Sequence, residues 1–275
     1  VIGPGEQRLQ LNRIAFHVAT PSLIFSSVAV ADTGAFFSPV ILVIAIATVA
    51  TMLIYWGLSA IFFRQDAAET MAGAASASYY NSVNIGLPIA TYVLGDPTYV
   101  VPALVLQMAV LSPIVIAGLD RGAKGVGKSV IAGLTAPVVV AAFAGFAVSA
   151  ASWTVPEPVL APLKILGGAS IPLILMSFGA SLTGEKVLTS HRGPTLTATA
   201  LKLVGMPAVA WVLARLMRLD GTEMYAALIL CALPTAQNVY NYAATYRSGE
   251  VICRDTVFLT TFLALPAMLL IAGVF

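Results

Sequence analysis

Two short stretches of this chain carry polar side chains at a density that their apolar surroundings do not explain. The first reads Ser78-Tyr79-Tyr80-Asn81-Ser82-Val83-Asn84-Ile85-Gly86-Leu87-Pro88, and the second Cys231-Ala232-Leu233-Pro234-Thr235-Ala236-Gln237-Asn238-Val239-Tyr240-Asn241. Each combines a proline with a run of amides and hydroxyls. Proline has no N–H, and its ring clashes with the carbonyl four residues earlier. Pro88 therefore frees the carbonyl of Asn84, and Pro234 that of Leu230. The ends of a helix interrupted in this way carry partial charges that can hold ions or anionic groups. Asn81 and Asn84 precede Pro88 by seven and four residues, and Asn238 and Asn241 follow Pro234 by four and seven. Each pair is spaced i, i+3 and shares one helix face. The chemistry on offer is the binding of a small polar solute. A lone asparagine or proline in such a segment more often serves helix packing. The paired set favours a site built from Asn81, Asn84, Gly86, Pro88, Pro234, Gln237, Asn238 and Asn241.

The elements that position these residues follow from composition. Apolar residues make up 59% of the 275 and charged residues 9%, against about 25% charged in soluble domains. Such a surface suits lipid and would aggregate in water. A spanning helix needs about 20 mostly apolar residues. Nine segments qualify: 9–32, 38–62, 68–94, 98–119, 129–151, 161–183, 192–218, 222–246 and 253–274. The expected fold class is an all-α membrane protein forming a single transmembrane domain. No alternating ten-residue pattern suggests a membrane barrel.

Charge sets the orientation, because Arg and Lys are retained on the cytoplasmic side. With the start of the chain cytoplasmic, that side holds Arg8, Arg13, Arg64, Arg121, Lys124, Lys128, Lys186, Arg192, Arg247 and Arg254. The opposite side holds Lys164, Arg215 and Arg218. The expectation is a multi-pass protein of the cytoplasmic (inner) membrane with its C-terminus outside. Residues Val1 to Arg8 are polar and do not fit the apolar core of a cleavable signal peptide. Cys231 and Cys253 suggest no disulfide framework, and His17 and His191 lie too far apart in sequence to suggest a metal site. The net charge of +2 does not point to nucleic acid. No cofactor is implied.

An internal repeat is also visible. Setting Pro21 over Pro172 aligns Arg13 with Lys164, Ile14 with Ile165 and Ser26 with Ser177, at an offset of 151. Setting Pro88 over Pro234 aligns Leu87 with Leu233 and Tyr79 with Tyr225, at 146. The reading is two copies, 1–119 and 129–275, of a five-span unit, with one span missing ahead of Val1 in the first. A unit with an odd number of crossings recurs inverted, which is a transporter signature.

Several of these motifs resemble those of the auxin efflux carrier family. Asn81-Ser-Val-Asn84-Ile-Gly86-Leu-Pro88 followed by Gly95 is similar to that family's fourth helix, and Pro234-x-x-x-Asn238 to its ninth. Val105-Leu-Gln107, and Arg121-Gly-Ala beyond it, resemble the fifth helix and its loop. Leu11-Asn-Arg with Pro21-Ser-Leu-Ile-Phe25 resembles the second. The resemblance covers nearly the whole chain and suggests a bacterial member without the first helix. It implies ten helices in two inverted repeats of five, with broken, crossing fourth and ninth helices beside the substrate. It also implies a scaffold in 9–32 and 129–183 and a moving unit in 38–119 and 192–275. Gln107 joins the candidate site on this ground, a helix–helix hydrogen bond being the plainer role for it.

The function expected is a secondary carrier for a small organic anion, such as malonate, malate or an auxin-like acid, by alternating access. A proton or a sodium ion is the candidate coupling ion, and a homodimer in the bilayer the candidate assembly. A channel and a sodium-coupled carrier of the bile-acid-transporter type are the alternatives. A sodium–proton antiporter normally places aspartates at the crossover, and 78–94 and 231–246 hold none. An intramembrane enzyme is not expected, since His-Glu-x-x-His and a pair of intramembrane aspartates are both absent from the sequence. Lys202 completes the candidate set. It lies roughly 15 Å from the cytoplasmic end of its span, deeper than snorkelling alone relieves. Two roles are open to it: reaching cytoplasmic water through a cavity on a tilted helix, or answering the charge of the substrate or a coupling proton.

Overall fold

The computed structural model describes residues 6–30, 38–86, 89–94, 100–120, 131, 134–182 and 186–274. Among these residues every regular element is helical. α1 covers 6–28, α2 Pro39–Phe62, α3 Ala67–Ser78, α4 100–119 and α5 Pro137–Ala150. α6 is Glu157–Ala180, α7 Arg192–Leu216, α8 Gly221–Ala232, α9 Gln237–Tyr246 and α10 Glu250–Ala272. Two further single turns, Ser82–Gly86 and Ala90–Leu94, lie between α3 and α4. Helix therefore occurs in each of the nine expected segments. As continuous helices among the described residues, five are long and apolar enough to cross a membrane: Pro39–Phe62, Pro102–Leu119, Glu157–Ala180, Arg192–Leu216 and Glu250–Ala272.

Three prolines widen their helices in one recurring way. α1 widens to a π turn at Ala15–Ala19 ahead of Pro21, α4 at Leu106–Leu111 ahead of Pro113, and α7 at Leu201–Gly205 ahead of Pro207. In each, the residue just before the proline donates its N–H five residues back: Thr20 to Ala15, Ser112 to Gln107, Met206 to Leu201. The proline cannot donate, and the wider turn re-pairs the neighbouring carbonyls without ending the helix.

α3 and α8 behave differently, and alike. Each starts on an aspartate whose side chain accepts from the backbone N–H three residues on: Asp66 from Glu69 at 2.8 Å, Asp220 from Glu223 at 2.7 Å. Each runs for 12 residues and then stops in extended backbone, at Tyr79–Asn81 and at 233–236. Pro234 lies inside its interruption, as the proline argument requires. The other interruption falls well ahead of Pro88, which is outside the described residues. Tertiary partners, not a proline, stop α3. The Asn81 N–H donates to the Pro234 carbonyl at 2.9 Å, and the Thr235 hydroxyl to the Ser76 carbonyl at 2.7 Å. The Thr235 N–H in turn donates to Thr260 Oγ1 at 3.1 Å.

Two apolar cores flank this meeting point. One gathers Phe16, Ile24 and Val28 of α1 with Val138, Val139 and Ala142 of α5, and continues into α3, α4 and α9. The other joins Val40, Val43 and Ile44 of α2 with Met206 and Ala210 of α7 and Ala226 to Leu233 on and after α8. α6 reaches α1 because Gly167 has no side chain: a Cβ there would lie 2.7 Å from the Leu23 Cα. The outward faces are apolar as well. Leu53 and Ile61 of α2, Val204 and Leu216 of α7, and Phe262 and Leu270 of α10 are all exposed, as lipid-facing helices require.

Candidate functional site

The two interruptions border a small cavity. Tyr80, Asn81 and Ser82 line it from the first, and Ala236, Gln237 and Asn238 from the second. Thr20, Leu23 and Ile24 of α1, Leu104 and Gln107 of α4, and Ser170, Ile171 and Ile174 of α6 close the other walls. Its volume is about 30 Å³, room for a water or two and less than an organic anion needs. A larger solute enters only if the walls move apart.

Asn81 owes its place to its own backbone, which is pinned on both sides. Its N–H is held by Pro234, and its carbonyl accepts the Gly86 N–H at 2.8 Å. Gly86 is needed for a close approach. A Cβ there would come within 3.0 Å of Leu233 Cδ1 and 3.2 Å of the Asn81 carbonyl. Gln237 and Asn238 open α9, whose N-terminal end thus forms part of the wall. The first N–H groups of a helix have no carbonyl a turn below them and favour negative charge. Gln107 is 1% exposed, and its Oε1 has no hydrogen-bond partner among the described residues. Since the two ends of a carboxamide are assigned from their surroundings, this buried amide is poised to pair with whatever fills the cavity. The described lining holds no charged side chain, only amides, hydroxyls and apolar groups.

The structure thus brings together Asn81, Gln107, Gln237 and Asn238, with Gly86 and Pro234 as the backbone that shapes the crossing. Asn84 lies in the Ser82–Gly86 turn with its side chain outside the described residues, as are Pro88, Gly95 and the Arg121 loop. Asn241 is not part of the lining. It is 2% exposed, and its carbonyl accepts from Asn12 Nδ2 at 3.0 Å and from the Thr245 hydroxyl at 2.8 Å. The i, i+3 spacing that should set it beside Asn238 instead turns it toward α1.

Lys202 is not part of the lining either. It is 0% exposed, so it does not reach water. Its Nζ donates to the Cys231 carbonyl at 2.6 Å, lies 3.2 Å from Met206 Sδ, and sits 6.0 Å from the centre of the Tyr80 ring.

Three features were missed by sequence reasoning. Thr20 and Ser170 face each other across the scaffold-side wall, their hydroxyl oxygens 2.8 Å apart. The only hint in the sequence was that each stands shortly before a proline of the repeat register, Thr20 one residue before Pro21 and Ser170 two before Pro172. Arg254, counted among the loop cations, is 3% exposed, and its Nε donates to Asp255 Oδ1 at 2.8 Å. The other oxygen of Asp255 accepts the Leu188 N–H at 2.8 Å, so a fully buried carboxylate anchors the 186–191 connection. Third, Arg8 of α1 bonds both Tyr240 of α9 and Glu250 of α10. Asn12 and Ser177 extend that polar seam between α1, α6 and α9.

Comparison with known proteins points to a membrane transporter. A family described as "Membrane transport protein" matches residues 2–125 and 123–272. A protein of Methanocaldococcus jannaschii named as an uncharacterized transporter is 28% identical over 107 residues, 39% of this chain and 34% of its own length. The chain thus spans about a third of that relative. A protein of Rhizobium meliloti named "Putative malonate transporter" is 25% identical over 279 aligned positions, covering 96% of this chain and 86% of the relative.

Proposed function

Because this chain belongs to the membrane transport protein family, that of the auxin efflux carriers, we propose that it is a secondary carrier for a small organic anion, working by alternating access. A short dicarboxylate such as malonate is the first candidate, given the name of the rhizobial relative. The observation that carries the reading is the junction of two interrupted helices at a cavity walled by Asn81, Gln107, Gln237 and Asn238. Neutral donors and the N-terminus of α9 suit a carboxylate, and irregular backbone at membrane depth is tolerated where it is buried in protein or lines a polar cavity.

The matched caps, lengths and interruptions of α3 and α8 support an inverted repeat. Asp220 follows Asp66 by 154 residues, close to the offsets of the sequence repeat. In this reading α1, α5 and α6 form a scaffold, and α2 to α4 with α7 to α10 move against it. The cavity lies between the two, with Thr20 and Ser170 on the scaffold wall. Its small volume corresponds to a closed arrangement of the walls. The C-terminus faces outside the cytoplasmic membrane. A cysteine placed at 186–191 should be shielded from an impermeant reagent in intact cells while one near Asp220 reacts; the reverse pattern would invert the orientation.

The deciding experiment is counterflow in proteoliposomes. Vesicles loaded with unlabelled malonate or malate should concentrate labelled malonate or malate transiently. Asn238→Ala should slow this at least tenfold with expression unchanged, and Asn238→Leu more, because bulk also fills the cavity. Downhill flux without counterflow would mark a channel instead. Flux that requires sodium would mark a sodium-coupled carrier. Normal exchange in both variants would place the site elsewhere.

A further inference from the structure

We infer that Lys202 is a positioning residue that sets the charge preference of the cavity from behind its wall, by holding the C-terminal end of α8 at Cys231 and backing the ring of Tyr80. The inference rests on the carrier reading above and deepens it.

Lys202 holds the Cys231 carbonyl near the end of α8. α8 ends at Ala232, and the residue four beyond Cys231 is Thr235, whose N–H goes to Thr260. The Cys231 carbonyl therefore lacks its helical partner, and it belongs to the end of α8 where partial negative charge accumulates. The Lys202 ammonium occupies that position at 2.6 Å. Three helix ends meet at the crossing: the C-termini of α3 and α8 and the N-terminus of α9. The Ser76 carbonyl at the end of α3 is answered by the Thr235 hydroxyl, and the Cys231 carbonyl at the end of α8 by Lys202. With both negative ends partnered, the N-terminus of α9, which opens on Gln237 and Asn238, weighs most in the potential of the cavity.

The surroundings of the lysine point the same way. A buried cation normally keeps a carboxylate partner, because an unpaired charge in the membrane interior is costly. Among the described residues no carboxylate lies within ion-pair distance of Lys202. Its partners are a carbonyl, a thioether and an aromatic ring. That ring, Tyr80, is itself part of the cavity wall and is fixed by its hydroxyl, which donates to the Ala103 carbonyl at 2.9 Å. One ring thus separates the Lys202 amine, which has no carboxylate partner among the described residues, from the cavity. In this reading the counter-charge is supplied by an anionic solute.

The test compares a dianion with its neutral counterpart. Malonate and its diamide, malonamide, are titrated calorimetrically into purified parent protein and into Lys202→Met, Lys202→Gln and Lys202→Arg. The parent should prefer malonate. Met and Gln should reduce that preference about tenfold, equivalent to about 1.4 kcal/mol, with the affinity for malonamide held within about twofold. Gln can still donate to the Cys231 carbonyl, so it separates loss of charge from loss of the hydrogen bond, and it is the variant to read if Met does not fold. Arg should restore the preference. An unchanged preference in Gln or Met overturns the role of Lys202 and leaves the carrier reading intact. A parent that binds neither malonate nor any other small carboxylate overturns the carrier reading itself.

Discussion

Replacing Thr235 by valine tests the mutual capping at the crossing most directly. Valine has nearly the shape of threonine, so the exchange opens no cavity and removes only the hydroxyl. That hydroxyl donates to the Ser76 carbonyl at 2.7 Å, and both residues are fully buried. Ser76 cannot recover the bond from its own helix, because Tyr80, four residues on, is in extended backbone. Leaving a buried carbonyl unpaired costs about 1–3 kcal/mol. For a chain of this size that lowers the melting temperature by roughly 2–5 °C. Thr51→Val is the matched control. Thr51 is equally buried and donates to the Ala47 carbonyl at 2.7 Å, but that carbonyl lies inside α2 and keeps a backbone partner. Intrinsic-fluorescence melting of the detergent-solubilised variants gives the readout. Thr235→Val should melt several degrees below the parent, Thr235→Ser close to it, and Thr51→Val within about 1–2 °C. If Thr235→Val and Thr51→Val melt alike, the crossing is not held by this bond and the account of why α3 stops at Tyr79 is wrong.

Two further outcomes are expected. Arg8→Glu and Glu250→Arg should each slow counterflow several-fold by placing like charges in the seam that joins α1 to α10, and the double reversal should recover part of the loss; additive losses would mean that the pair is incidental. Gly167→Val should destabilise by about 1–3 kcal/mol, because its Cβ would stand 2.7 Å from the Leu23 backbone, whereas Gly168→Ala, which meets nothing within 4 Å, should melt like the parent.

Much of the helical framework was legible because hydropathy is a local property. The segment read as 38–62 is the helix Pro39–Phe62, and 253–274 corresponds to Glu250–Ala272. The stop at Pro234 was legible for the same reason, since a proline acts on its own turn. The stop at Tyr79–Asn81 was not, because what favours it is a carbonyl and a hydroxyl about 150 residues away. Asn81, Gln237 and Asn238 could be found from type and spacing, and Gln107 from the family resemblance, whereas Thr20 and Ser170 look like any hydroxyl in an apolar helix until the fold sets them face to face. Asn241 shows the limit of periodicity: its spacing from Asn238 is helical, but one turn is enough to carry a side chain from the cavity to a helix interface. The depth of Lys202 was readable by counting residues. Its partner was not, because a backbone carbonyl leaves no mark in the sequence.

The long reach of the bonds at the crossing also bears on how the chain is made. Pro234 leaves the ribosome some 150 residues after Asn81, about 10–30 s later at ordinary rates of synthesis. Until then the Asn81 N–H and the Ser76 carbonyl have no native partner, and the bilayer offers no water to stand in. No proline lies between Asp66 and Leu87, so nothing prevents α3 from continuing straight through Tyr79–Asn81 with ordinary intrahelical bonds. The lowest-energy form of the newly inserted segment is therefore an unbroken helix. Its interruption belongs to a late stage of assembly, when the arrival of Pro234 and Thr235 exchanges local hydrogen bonds for distant ones and opens the site.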